Sequence, residues 1–227
     1  MEDNPSKKIK KFLSPVEIVK DEKDAVKNFL MSLKTTSVCR FNAAERIRTL
    51  SKGAFVTTTI FSLGLILIPL LQMIVRKEVY EAQTLSVIQI FLAVSVLVYS
   101  TIIGTAKYEV RASDLDRCGV DLKNMIREIR SELKDEKDID LKKYSDQYHE
   151  IIKNCENHNR SDFKKAQLYL TEYWEMHFIC RKLFRLEIFI KNSLPYVPQF
   201  LLVILELIFL LDLLSITQIL TKYLKVA

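Results

Sequence analysis

Side chains able to do chemistry cluster in two places in this 227-residue chain. Cys155-Glu-Asn-His158 and His177-Phe-Ile-Cys180 each set a thiol and an imidazole three residues apart, in mirror order. That pattern offers Zn²⁺ two sulfur and two nitrogen ligands. The same spacing is close to one helical turn, at which packing residues also recur. Asn154, Asn157 and Asn159 give the first pair the composition of an ordinary helix end, so no metal or other cofactor is expected. The second place is Glu206 and Asp212, two acids inside the otherwise apolar stretch 200–220. In lipid an acid must face other helices or water, and by default it marks a functional position.

Other chemistries lack their residues. Four glycines leave no Gly-rich phosphate loop, there is no nucleophile motif, and His149-Glu150 has no partners at zinc-protease spacing. The chain is not expected to be an enzyme. Cys39, Cys118, Cys155 and Cys180 do not suggest a disulfide framework in polar segments assigned to a reducing compartment.

The elements that must position these residues follow from segregation of charge. Apolar residues make up 49% of the chain and charged ones 27%, so the two have to occupy separate stretches. Residues 53–75 are an uncharged run of 23, about 34 Å long as a helix and enough to cross a bilayer. A second uncharged run, 82–106, follows after the short connector 76–81. With lipid on both sides the backbone satisfies its polar groups only as helix, and the rest of the chain is too small to wrap both runs. The reading is an all-α membrane protein built on a transmembrane hairpin. Its divisions are N-terminal helices (1–52), the hairpin (53–106, spans about 53–75 and 82–106), a polar helical region (107–193) and a hydrophobic segment (194–222).

Arg40, Arg46, Arg48 and Lys52 precede the first span and Lys107, Arg111 and Arg117 follow the second, against Arg76 and Lys77 in the connector. This places both ends in the cytoplasm of a multi-pass membrane protein. The N-terminus lacks the apolar core of a cleaved signal peptide, so the first span should act as an uncleaved anchor. Basic residues beside a span are drawn to anionic lipid at about 1 kcal/mol each. The net charge of +6 therefore needs no nucleic acid, and no basic-aromatic reader pattern is present.

Ser14-Pro15-Val16-Glu17 predicts a capped helix running to about Leu33, broken at Thr35-Thr36-Ser37. A new helix from about Arg40, with Ala43, Ile47, Leu50 and Ala54 at helical spacing, runs on into the bilayer. After the second span, Tyr108, Ala112, Leu115, Gly119, Leu122, Ile126, Ile129 and Leu133 alternate four-three as a heptad seam. Extended backward it passes through Gly104, Thr101, Leu97, Val94 and Ile90, so a single helix could carry it out of the lipid. Such a seam serves self-association or packing against the first helix, and spacing alone leaves both open. Residues 134–140 are a charged turn. Helices are expected at 141–153 and 163–191, the latter capped by Ser161 or Asp162, with Trp174, Phe178 and Phe184 in the core or at the membrane surface.

Pro195 and Pro198 interrupt before 200–220, whose 16 apolar residues gain roughly 5 to 8 kcal/mol on insertion while two central acids cost roughly 5 to 7. The stretch is a third span if its acids face helices or water, and otherwise a cytosolic oligomerisation helix. Each hairpin span also carries a small, polar face. Thr58, Ser62, Leu65, Pro69 and Gln72 share one, and Ser86, Gln89, Ala93, Ser100 and Gly104 the other. Such faces pack helices closely or line a pore, and both uses need partner helices.

"RFNAAERIR" entering the first span, through Arg40, Phe41, Ala43, Ala44 and Arg46, and "YEVRASDLDRCGVDLKNMIREI" leaving the second, through Tyr108, Arg111, Ala112, Leu115 and Leu122, resemble the SLATT domain. This is a two-span effector domain associated with bacterial nucleotide-signalling and other conflict systems. The resemblance covers roughly residues 30–135, and residues 136–227 are similar to the helical extension of members linked to reverse-transcriptase cassettes. It implies an anti-phage membrane effector that homo-oligomerises when a sensor partner from the same operon, a nucleotide-signalling enzyme or a reverse transcriptase, detects infection. The effector then opens or disrupts the membrane and causes abortive infection. In that scheme the seam from Ile90 to Leu133, with Leu115, Leu122, Ile126, Ile129 and Leu133 as its oligomerisation positions, transmits assembly or rotation and Ser86, Gln89 and Ser100 are the candidate pore or packing residues in the membrane, with Glu206 and Asp212 in second place. The alternative is a membrane-anchored helical scaffold that tethers a soluble partner without conducting ions.

Overall fold

The computed structural model describes residues 15–17, 25–74, 80–136 and 138–224. Nearly all of this is helix: α1 Ala25–Ile74, α2 Ala82–Ala106, α3 Tyr108–Lys134, α4 Leu141–Lys153, α5 Arg160–Tyr169, α6 Phe178–Ser193, a 3-10 turn Leu194–Tyr196, α7 Val197–Leu213 and α8 Thr221–Leu224. Two short strands, β1 Val16–Glu17 and β2 Trp174–Glu175, pair antiparallel with Val16 opposite Glu175. The chain divides into two compact units, Met1–Arg48 with Glu109–Ser193 and Thr49–Tyr108 with Leu194–Ala227.

In the first unit the expected break at Thr35-Thr36-Ser37 is absent, because α1 runs through it. Hydroxyls disturb helices by competing for the local backbone. Here Ser37 Oγ donates to the Gly119 carbonyl at 2.9 Å, and Thr36 Oγ1 lies 3.2 Å from the Tyr148 hydroxyl. The helix expected at Pro15–Glu17 is also corrected. These residues pair with β2 as a strand, α1 starts at Ala25, and Ser14 lies outside the described residues. Proline's fixed φ suits the start of an edge strand as well as a first helical turn.

Leu33 of α1, Cys118, Leu122, Met125, Ile126 and Ile129 of α3 and Tyr144 of α4 form one core, with Phe29, Tyr148 and Ile151 packed against it. The α3 seam therefore closes inside the chain. Leu115, Leu122, Ile126 and Ile129 are buried, and only Leu133, 46% exposed, remains open at its end. Gly119 lets α1 approach, since a Cβ there would stand 2.8 Å from the Phe41 ring. The seam does not extend backward as one helix. Lys107 adopts φ 47°, ending α2 at Ala106 before α3 begins.

Asp140 caps α4 by accepting the Lys142 and Lys143 amides, each at 3.1 Å. The cap of α5 is Asn159, not Ser161 or Asp162. Asp162, three residues on, reaches back to accept the Asn159 amide at 2.9 Å. The helix expected over 163–191 is two helices, because the Leu170 carbonyl is taken by the Tyr173 and Trp174 amides at 3.0 and 3.1 Å in a turn that leads into β2.

The second unit packs Phe61 and Ile68 of α1, Leu85 and Leu92 of α2, Phe209 and Leu213 of α7 and Tyr80 into a second core. Tyr80 stacks on Phe209 at 5.1 Å between centroids. Helix α7 begins at Val197, with Pro198 in a first turn that needs no amide from it, and ends at Leu213, short of the expected 220. Phe55, Leu63 and Met73 of α1, Val87, Ile90 and Leu97 of α2 and Phe200 and Leu201 of α7 all point outward. Apolar surface on that scale requires lipid or partner helices. Among the described residues three helical stretches are long and apolar enough to cross a membrane, Ala25–Ile74, Ala82–Lys134 and Phe178–Leu213.

Candidate functional site

In the first unit the arginines at the mouth of the first span have protein partners. Arg46 grips Asp162 with both Nε and Nη2, each at 3.1 Å from its nearer oxygen, and the Asp162 side chain is only 3% exposed. Buried Arg40 donates from Nη1 to the Glu156 carbonyl and to Asn157 Oδ1, the latter at 3.4 Å. Arg111 makes a forked pair with the Glu156 carboxylate at 2.6 and 2.7 Å, and Arg48 pairs with Asp116. Two-point pairing is what a guanidinium offers and an ammonium does not. The Arg111 bonds hold the Glu156 carboxyl below its usual range. Arg40, Arg46 and Arg111 thus bind the turn and helix around 156–162 to α1 and α3, and Arg48 joins α1 to α3 directly. Arg40, Arg46 and Arg48, expected to flank the membrane, are thus engaged by carboxylates and carbonyls distant in sequence. Phe41 lies under Lys123, 4.6 Å from Nζ to ring centre, and Tyr108 is half-buried at the start of α3.

The cysteine and histidine pairs do not converge. Cys155 donates to the Ile151 carbonyl at 3.3 Å and neighbours Cys118, while His158 stacks on Phe163. Burial, then the Arg40 charge, pushes the His158 pKa down. His177 Nδ1 accepts the Ile179 amide at 3.4 Å, and Cys180 is buried near Lys164. Among the described residues no three His, Cys, Asp or Glu side chains group as a metal site.

In the second unit the two acids of α7 have opposite surroundings. Asp212, fully buried, accepts the Ile219, Leu220 and Thr221 amides at 3.1, 2.6 and 3.1 Å, the Tyr80 hydroxyl at 3.2 Å and the Thr217 hydroxyl. It folds the chain back after α7 and caps α8, a structural task. Glu206 is also buried, yet among the described residues neither of its oxygens has a hydrogen-bond partner. It lies on the bare backbone of Gly64, where an added Cβ would stand 1.7 Å from Oε1. Beside it opens an apolar groove of about 830 Å³ between α1, α2 and α7. Gly64 and Tyr80 were not singled out by sequence reasoning. The only signal for Gly64 was a glycine in the middle of the first span.

The polar faces of the hairpin are disposed differently. Thr58 and Ser62 donate to carbonyls of their own helix at 2.9 and 2.8 Å, and Gln89 meets Gln72 at 3.5 Å. Ser86 back-bonds to Ala82 at 2.9 Å, and Ser86, Ala93, Ser100 and Gly104 are exposed on α2. A Cβ at Gly104 would meet nothing within 4 Å.

No curated protein and no solved structure gives a significant match to the chain. A family model, however, matches residues 22–212, a stretch that takes in the arginine-rich entry, the hairpin, α3 and both acids of α7. On this match the chain belongs to the SMODS and SLOG-associating 2TM effector domain family 5.

Proposed function

We propose that this protein is the membrane-acting effector of a bacterial anti-phage conflict system, resident in the inner membrane with its N-terminus in the cytoplasm. A sensor partner triggers its assembly, and the assembled hairpins breach the membrane and halt the infected cell. The reading rests on family membership and on α2, which buries only Leu85 and Leu92 and leaves Ser86, Ala93, Ser100 and Gly104 outward. Small and polar residues on an outer face of a span bring copies into close contact. With the α3 seam occupied inside the chain, that face is the assembly surface. Gly104→Leu tests it, because the new side chain enters open space and leaves the protomer fold unchanged. On forced expression, dye entry into cells and the oligomer seen in detergent should both be lost in Gly104→Leu and Ser100→Leu. Wild-type chain that arrests growth without admitting dye would favour the tethering scaffold, and full toxicity in both variants would remove α2 as the assembly face.

A further inference from the structure

The groove beside Glu206 combines three features that select a ligand. Its walls are apolar, with Phe61, Phe91, Leu205 and Phe209 among them, and its volume of about 830 Å³ suits an alkyl or aryl body. Two acids line it, Glu206 within and Glu81 ahead of α2, and no Lys, Arg or His does so among the described residues. Glu206 is 5% exposed with both oxygens unpaired among the described residues, although Asp212 six residues further on accepts several donors. A buried polar group without a partner is costly, and the cost is recovered when a ligand brings the missing donors. A neutral acyl chain fills the walls and leaves Glu206 as it was. An ammonium group on a lipophilic body fills the walls and, with the Glu206 carboxyl turned from Gly64 into the groove, gives it hydrogen bonds, the second acid adding to the attraction.

We propose that this groove is a binding site for a lipophilic amine, its ammonium on Glu206 and its hydrocarbon body along α2 and α7. The site is separate from the outward face of α2 used for assembly, and the proposal does not depend on pore formation.

The test uses the full chain in phosphatidylcholine nanodiscs and a photoreactive alkylamine carrying a diazirine in mid-chain, with labelled peptides mapped by mass spectrometry. Label is expected on the walls of the groove, on α1 near Phe61 and α2 near Phe91. Dodecylammonium should compete at least about tenfold better than dodecanol, the advantage of a charge-assisted bond over none. In Glu206→Gln the two competitors should become equal. Val87→Trp, at an exposed wall residue, should block labelling while the helical signal is kept. Equal competition by dodecanol in the wild type would mean that the groove merely holds lipid tails. Unchanged amine preference in Glu206→Gln would show that the carboxyl plays no part. Either result overturns the proposal.

Discussion

Replacing Asp162 by Ala should loosen α5 from α1 without touching the membrane unit. The carboxylate is held by two bonds from Arg46 and accepts the Asn159 amide, and Asn42 Nδ2 donates to the Asp162 carbonyl at 3.1 Å. Removing one partner of a buried pair costs about 3 to 5 kcal/mol, since the other charge stays behind uncompensated. Arg46 keeps 19% of its side chain exposed, so water recovers part of this and the lower end applies. Loss of the helix-start contact adds about 1 kcal/mol, not fully additive with the first. A net loss of about 3 kcal/mol corresponds to amide exchange in α5 that is faster by about 150-fold. Hydrogen exchange with mass spectrometry on the detergent-solubilised chain measures this peptide by peptide, and α2 and α7 serve as internal references. Asp162→Asn, which keeps an acceptor for Asn159, should lose less. Arg46→Met with Asp162→Leu should recover most of the stability, because an apolar pair avoids the desolvation of two charges. Acceleration below tenfold in Asp162→Ala would refute the reasoning and leave the pair no stronger than a surface contact.

Three further outcomes follow from the same geometry. Lys164 first, then Lys191, holds the Glu187 carboxyl down to about 2 from 4.5. A carboxyl lowered by folding contributes stability above its unfolded value, so helix α6 should weaken as pH falls from 4.5 toward 2, and Glu187→Gln should flatten that part of an acid titration followed by helical signal. Burial pushes the Cys39 and Cys118 thiols up to about 12, and both are at most 1% exposed. Maleimide near neutral pH should therefore mark Cys155 first and reach Cys39 and Cys118 only on unfolding, as peptide mass spectrometry reports. Gly119→Ala places a methyl 2.8 Å from the Phe41 ring and should destabilise the first unit by about 1 to 3 kcal/mol in thermal melts, with Phe41→Leu restoring part. Gly104→Ala, in open space, should cost nothing.

What the amino-acid order determined by itself is what depends on runs and local spacing. The uncharged stretch 82–106 has the bounds of α2, and the pattern over 141–153 has those of α4. A helix confined to lipid, or bounded by its own cap as Asp140 bounds α4, carries its instructions within about one turn of itself. The heptad seam was equally visible, but not what it packs against. That required Leu33 and Phe41 of a helix some 80 residues earlier, as the contact from Ser37 to Gly119 across 82 positions illustrates.

Tertiary structure alone decided the roles of the charges. Basic residues beside a span look alike in sequence, and only the return of α5 to α1, across 116 positions, turns Arg46 from a lipid-facing charge into the partner of Asp162. The same holds for the acids of α7. Glu206 and Asp212 are equivalent as acids in an apolar run, yet a turn at Ser215 brings amides and the Thr217 hydroxyl to Asp212 while a glycine of another helix gives Glu206 room and, among the described residues, no partner. Burial and hydrogen bonding depend on which atoms meet in space, and those atoms come from positions that no local pattern connects.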